Sequence, residues 1–314
     1  MYHYILRRLV QTVPVLFLFS IAVFTVMRLV PGDPANVILG LEPTPEALAQ
    51  IRHEMGLDKP IPVQYGIWLR HVVRGDLGTS WKSKQPVTHL IWRRFPATLL
   101  LTFGATLIGV TIALPLGIVS GVRPHSVFDT VATGFSLMGV AIPGFWLGLM
   151  LLLLFAVRLH WLPPSGYTPL SEDPVESLKH LILPAITLGT GLAAPLARFV
   201  RSGMLDVLGT DYIRTARAKG LPERLVVIRH ALRNGLLSVV TVFGLEFGAL
   251  LGGAVVTESV FNWPGIGTLL LTGIKQRDYA MVQGTVLFVS VIFIVVNLLV
   301  DLSYGLLDPR IRST

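Results

Sequence analysis

The sequence predicts an all-α integral membrane protein with six transmembrane helices, and three observations carry that reading. Of 314 residues, 52% are hydrophobic and only 14% are charged, where an ordinary soluble domain carries roughly 25% charge. Mean hydropathy is +0.67. The apolar residues are gathered into runs long enough to cross a bilayer as helices, which takes about 20 residues each. A soluble enzyme, a coiled coil and a disordered tail are excluded on that balance. The chain has no cysteine, so a disulfide, a thiol nucleophile and an iron–sulfur cluster are excluded too, and any extracytoplasmic part folds by packing alone. The net charge of +8 fits cytoplasmic loops and anionic lipid rather than nucleic acid, because no aromatic-interleaved basic patch accompanies it.

Arg7 and Arg8 precede an uncharged run at residues 9–27 that continues through Arg28 to Val30. A signal-peptide core is about 7–15 residues, so this run is read as a retained first span. Further runs at 97–122, 131–157, 181–200, 236–257 and 282–302 complete six. Pro143-Gly144 inside the third and Pro184 and Pro195 inside the fourth predict kinks, because proline removes a helical hydrogen bond and clashes with the preceding turn. Lys and Arg set the orientation. With the N-terminus inside, the inside segments hold thirteen and the short outside loops four, Arg158, Lys179, Lys275 and Arg277. The long stretch 31–96 is left out of that comparison, since long loops translocate regardless of charge. Both termini are therefore expected in the cytoplasm.

The chain divides into a cytoplasmic N-terminus with the first span (1–30), an extracytoplasmic helical insertion (31–96), a five-span core (97–305) with a cytoplasmic loop (203–235), and a cytoplasmic tail (306–314). Within the insertion, Thr44-Pro45-Glu46 supplies a cap, a first-turn proline and a first-turn acid, and Gly56 a stop. A second helix is expected from Pro62 to Val73, closed by Gly75.

Chemistry-bearing motifs are missing. There is no Gly-Lys dipeptide and hence no phosphate-cradling G-x-x-x-x-G-K-[ST] loop, and neither H-E-x-x-H nor G-x-S-x-G occurs. His160 and His230 read as solvated or satisfied histidines. No catalytic, cofactor or metal site is expected in this chain.

The segment 210–234 is the most informative. Thr210 is placed to cap a short helix from Asp211 to Lys219, Gly220 to end it in a left-handed turn, and Pro222 to open a second helix reaching about Asn234. Two short helices at an angle are expected. On the first, Tyr212, Ala216 and Lys219 share a face, Arg214 and Arg217 pair at i, i+3 beside Thr215, and small Ala216 and Ala218 admit another surface close to the backbone. An amphipathic helix pair lying on anionic lipid explains the charge but not the alanines and glycine.

The run from Asp211 to Leu221 (DYIRTARAKGL), followed by His230-Ala231-Leu232-Arg233-Asn234, resembles the EAA loop of the permease subunits of bacterial ABC importers in the dipeptide and oligopeptide branch. Pro31-Gly32-Asp33-Pro34, Gly75-Asp76-Leu77-Gly78 with Ser80, Trp263-Pro264-Gly265-Ile266-Gly267, and Asp301 to Arg312 extend the likeness from end to end. It departs at Asn234-Gly235-Leu236-Leu237-Ser238, where relatives have a proline opening the fifth span. The resemblance implies a non-catalytic subunit of the bacterial inner membrane that works by alternating access. Its implied partners are a second, homologous six-span permease, two ATPase subunits that bind ATP and Mg, and an extracytoplasmic peptide-binding protein. The EAA helix would seat in a cleft of the ATPase. Dipeptides, longer peptides, glutathione and nickel complexes are the substrates of such systems. The reading from another class, a self-contained secondary transporter, would need coupling-ion residues at mid-membrane and an internal repeat, and no repeat is visible.

Inside the membrane, Gly244, Gly248 and Gly252 at i, i+4, i+8 predict a packing seam. Glu246 points away from it, and two roles are open to it: facing the translocation pathway, or bonding as a neutral carboxyl to a neighbouring helix. Asn297 and Asp301 share a face of the sixth span, where Arg310 or Arg312 is expected to return as a tether. Trp263, Pro264, Gly265 and Gly267 read as an interfacial aromatic anchor or, by the resemblance, as a re-entrant hairpin.

Overall fold

A computed structural model describes residues 2–29, 39, 44–54 and 56–307. The expected Pro31–Pro34 motif and the returning Arg310 and Arg312 lie outside the described residues, as do the surroundings of Gly252 and of the Asp301 side chain. The described residues are mainly helical, and the one bridge among them pairs Thr79 with Pro86. Four described helices are long and apolar enough to cross a membrane, and a bent pair makes a fifth candidate. The helix expected as the first span is present as Tyr2–Leu29, and Val10–Val26 is the part of its apolar run that the described side chains cover. The described chain therefore accounts for four or five of the six expected spans by length and composition.

The contacts divide the chain into two units. One consists of residues 2–96 and 264–294. In it, α1 (Tyr2–Leu29) meets α3 (Ile61–Val73) through an aromatic cluster of Phe17, Phe24, Tyr65 and Trp68, and Ser20 Oγ lies 2.8 Å from Tyr65 Oη. Between them α2 (Pro45–Glu54) begins as expected. The Thr44 hydroxyl accepts from the Ala47 amide at 3.3 Å, and Gly56 sits at φ +64°. The unit also holds the start of α4 (Val87–Val122), all of α12 (Ile266–Lys275) and the first half of α13 (Tyr279–Leu307). Val87, Ile91, Ile266, Leu269 and Met281 form its core. The fully buried Asp278 carboxylate accepts from Ser80 Oγ at 2.6 Å and from the Met281 amide at 3.1 Å, tying the 76–86 segment to the start of α13.

The other unit spans residues 97–263 and, of the described residues, 295–307. Its central element is α7 (Pro174–Leu208), opened by Asp173, whose carboxylate accepts from the Val175 and Glu176 amides, both at 3.0 Å. Pro184 and Pro195 lie inside this one continuous helix. The third apolar run behaves differently from the expected kink. It is two helices, α5 (Val127–Ala141) and α6 (Gly144–Leu151, running on as a π-helix over Leu152–Arg158), at 100° to each other. Ile142 precedes a proline and is pushed to extended backbone (ψ 121°), and Pro143 is itself extended (ψ 129°), so two consecutive residues leave the helix where a lone proline would only bend it.

The α4–α7 contact is built on glycine. A β-carbon on Gly109, Gly117 or Gly121 would fall 2.7, 2.5 and 2.6 Å from Leu192, Val200 and Met204, and one on Gly189 would fall 2.7 Å from the Ala105 carbonyl. Small residues let helices approach closely where lipid gives no hydrophobic drive to associate.

Candidate functional site

The segment after α7 is laid against an apolar base. Ile213 and Ala216, one turn apart on α8 (Asp211–Ala218), are buried with Val200 and Met204 of α7 and with Val226 and Ala231. Tyr212, Arg214, Thr215, Arg217, Ala218, Lys219 and Gly220 are exposed. Ala216 is thus part of the loop's own core and does not share an outer face with Tyr212 and Lys219. The i, i+3 spacing from Ile213 puts it on the buried side, and of the two alanines only Ala218 is open to another surface. Thr210 also departs from expectation, for it makes no capping bond and its hydroxyl donates back to the Val207 carbonyl at 2.6 Å.

Gly220 ends α8 as expected. Its φ is +76°, a left-handed conformation that costs a residue with a β-carbon about 1 kcal/mol or more, and its amide reaches the Arg217 carbonyl at 2.9 Å. After Pro222 the second helix does not stop near Asn234. A short turn α9 (Glu223–Leu225) passes through a π-helical stretch, Val226–Ala231, straight into α10 (Leu232–Gly253). With no proline at 238 there is nothing to break it, so the expected separate helix is the leading end of α10.

Two polar ties close the loop. Arg217 pairs with Glu223 through two bonds, Nε to Oε2 at 3.1 Å and Nη2 to Oε1 at 2.7 Å. The guanidinium holds the Glu223 carboxyl below its ordinary range. Tyr212 Oη accepts from Asn234 Nδ2 at 2.8 Å and donates to the His230 carbonyl at 3.3 Å, while Asn234 Nδ2 also reaches that carbonyl at 3.1 Å. The residues separated in sequence as DYIRTARAKGL and HALRN are therefore one folded object.

In α10, Gly244 and Gly248 are buried, and a β-carbon on Gly244 would fall 2.6 Å from Val300 Cγ1 of α13. Glu246 is half-buried, and no described residue hydrogen-bonds to its carboxyl. Beyond a one-residue break lies α11 (Val255–Val260). Trp263 does not present its ring as an interfacial anchor would, because it is fully buried and packs with Ala97, Leu101, Leu181 and Ala185 of its own unit. Its Nε1 donates to the Ala97 carbonyl at 2.9 Å and its ring meets Tyr167 edge-on at 4.9 Å. Pro264, Gly265 and Gly267 belong to the other unit, where Gly265 precedes α12 in extended backbone and Gly265 and Gly267 are buried.

Several features are not legible in the sequence, and two of them bear on these helices. One is the α4–α7 glycine seam, although Gly117 and Gly121 show the same i, i+4 spacing that marked Gly244 and Gly248. The other is a buried carboxylate, Glu258, which accepts from Thr98 Oγ1 at 3.1 Å. No local pattern gives it away, since Thr98 is 160 residues distant.

The chain matches the family described as "Binding-protein-dependent transport system inner membrane component" over residues 113–313, and that family's N-terminal companion over residues 1–102. A dipeptide transport system permease protein of Alkalihalophilus pseudofirmus is 42% identical over 98% of this chain and 99% of its own length. A glutathione transport system permease protein of Salmonella choleraesuis is 43% identical over 99% of each. In fold, 70% of this chain overlays 96% of a chain in inward-facing structures of the MetNI methionine ABC transporter, with a TM-score of 0.58 at 19% identity. This chain belongs to the family of inner membrane components of binding-protein-dependent transport systems.

Proposed function

We propose that this chain is one of two six-span permease subunits of an ABC importer that carries dipeptides or oligopeptides across the bacterial inner membrane by alternating access. Family membership makes it a transport component rather than an enzyme, so the work of ATP and Mg falls to two partner ATPase subunits. An extracytoplasmic binding protein delivers the peptide. The peptide and glutathione names of relatives at 42–43% identity support the substrate class.

The observation that carries the reading is the construction of residues 210–234, with polar Tyr212, Arg214, Thr215, Arg217 and Lys219 outward and Ile213 and Ala216 clamped inward. A solvated helix needs no such base, whereas a lever that transmits force does. The outward face, with Ala218 and Gly220, seats on the ATPase. Both termini and this loop lie in the cytoplasm, and residues 31–96 lie outside. The Gly244, Gly248 and Gly252 row forms a packing seam, and Trp263, Pro264, Gly265 and Gly267 form a re-entrant turn. Glu246 faces the pathway. A charged side chain facing lipid at mid-membrane costs at least about 2.5 kcal/mol, so the half-buried Glu246 is assigned to water or peptide in the pathway.

The test is purification with the companion permease and ATPase, followed by uptake of labelled alanyl-alanine into proteoliposomes. Uptake is expected to require ATP and to vanish in Gly220→Val, which still inserts. Uptake driven by an ion gradient without an ATPase would establish a secondary transporter instead.

A further inference from the structure

An ion pair with a buried carboxylate and a guanidinium 32% exposed lies one helical layer behind the loop. Asp129, in the first turn of α5, is 5% exposed, and Ser120 at the end of α4 is 1% exposed. Arg201 of α7 grips the Asp129 carboxylate with two bonds, Nε to Oδ1 at 2.6 Å and Nη2 to Oδ2 at 2.9 Å, and its Nε also reaches Ser120 Oγ at 3.1 Å. Ser120 Oγ donates to the same carboxylate, and the His125 amide donates to Oδ2 at 2.9 Å. The carboxylate is thus held from three segments: the end of α4, the 123–126 turn and α7. The void beside it, lined by Gly117, Ser120, Ala132 and Arg201 among others, measures about 10 Å³. That is room for at most one water, so the pair does not form a ligand site.

Position gives the pair its use. Arg201 stands between Val200 and Met204, which bear on Ile213 and Ala216 of α8. Asp129 stands at the start of α5, whose far end is the break at Ile142–Pro143. Apolar contacts between helices are non-directional and allow sliding, whereas a bidentate guanidinium–carboxylate pair fixes both distance and orientation.

We propose that Asp129 and Arg201 are positioning residues for transport: their pair makes α5 and the loop-bearing end of α7 one body, so that displacement of α8 reaches the break between α5 and α6. The proposal rests on the reading of residues 210–234 as the ATPase seat. Without the pair, the ATPase still docks and hydrolyses ATP, but movement of the loop is lost in slippage between α7 and α5.

The cysteine-free sequence supports a direct measurement on the full complex. An environment-sensitive fluorophore at Phe145→Cys, an exposed position on α6, reports motion beyond the break, while phosphate release reports hydrolysis. In the otherwise native chain ATP is expected to change the fluorescence. Asp129→Asn, and the doubly neutral Asp129→Asn/Arg201→Gln, which leaves no unpaired buried charge, are expected to keep ATP hydrolysis but cut that change about tenfold. Arg201→Lys keeps the charge with a single contact and should recover part of it. Full ATP-driven change in both neutral variants would overturn the proposal and leave the loop reading intact. Joint loss of ATPase binding and signal in both would reduce the pair to a fold-stabilising contact and overturn it as well. A native-pair complex that binds no ATPase, or shows no change with ATP, would overturn the loop reading and the proposal with it.

Discussion

Two stretches of one unit, the 210–234 loop and the 255–263 turn, solve opposite problems with similar means. The loop turns apolar Ile213 and Ala216 inward and leaves its polar groups on the surface. The turn does the reverse. Glu258 and Trp263 are fully buried, with the carboxylate on Thr98 and the indole nitrogen on the Ala97 carbonyl. A polar group exposed on a rigid base is available to a partner, while one buried with its bonds made specifies a single backbone arrangement. The loop is built to present a surface and the turn to stay where it is.

That contrast predicts unequal responses to substitution, with the largest at the turn. Trp263→Ala removes a fully enclosed indole and its hydrogen bond, and is expected to cost about 3–5 kcal/mol, read as a large fall in the melting midpoint of the detergent-solubilised complex. A midpoint close to that of the parent would mean that the turn is not anchored by this ring.

Next in size is Ala216→Trp. Overpacking the base between α8 and α7 should cost about 1–3 kcal/mol, with ATPase binding lost because the loop is distorted. Ala218→Trp makes the comparison sharp. That position is exposed, so stability should stay within about 0.5 kcal/mol while ATPase co-purification is lost by direct obstruction. If the two tryptophans behave alike in melting, the inward–outward division of α8 is wrong.

How far the sequence was legible follows the same division. Long apolar helices, the two insertion helices and the Gly220 turn are local properties, written in apolar run length and in residues such as Gly56 and Gly220 that the backbone itself requires. Ala216 was misplaced because a helix two turns long offers three plausible faces, and only the packing of Ile213 chooses among them. The break at Pro143 reads as a kink because the restriction on a pre-proline residue is only a bias: Ile142 follows it, whereas Leu183 and Ala194, before Pro184 and Pro195, stay inside a continuous helix. Asp129–Arg201 and Thr98–Glu258 pair residues 72 and 160 positions apart, and no periodicity connects such distances. Each of these four residues also sits at or near the end of an apolar run, where a polar residue ordinarily needs no explanation.

A smaller effect is expected at Tyr212. Tyr212→Phe keeps the ring but removes the hydroxyl that bonds Asn234 and the His230 carbonyl, a loss of about 1 kcal/mol. Local loosening, rather than global unfolding, should follow, seen as faster proteolytic cleavage within residues 212–234 at an unchanged overall melting midpoint. A fall in global midpoint matching that of Trp263→Ala would show that the loop is as deeply anchored as the turn.

The smallest effect belongs to the loop's own two-bond ion pair. Arg217 and Glu223 form two bonds, yet their side chains are 43% and 53% exposed, and pairs in that setting contribute about 0.2–1 kcal/mol. The pH dependence has a definite sign. Glu223 has its pKa lowered in the folded chain, chiefly by the hydrogen bond from Arg217, so its contribution is present above the unfolded carboxyl value of about 4.3 and is lost as pH falls through the folded value. Arg217 has its pKa raised by the same bond, so it stays charged across this range and adds no slope of its own. Arg217→Ala should therefore be slightly less stable than the parent at pH 7, and the difference should shrink as pH falls through the folded value of Glu223. Salt at about 1 M, where screening acts over roughly 3 Å, should reduce the difference at pH 7 as well. A difference of several kcal/mol that survives both acid and salt would mean that charge, not the Ile213 and Ala216 base, holds the loop, and the distinction between a presented surface and an anchored turn would fail.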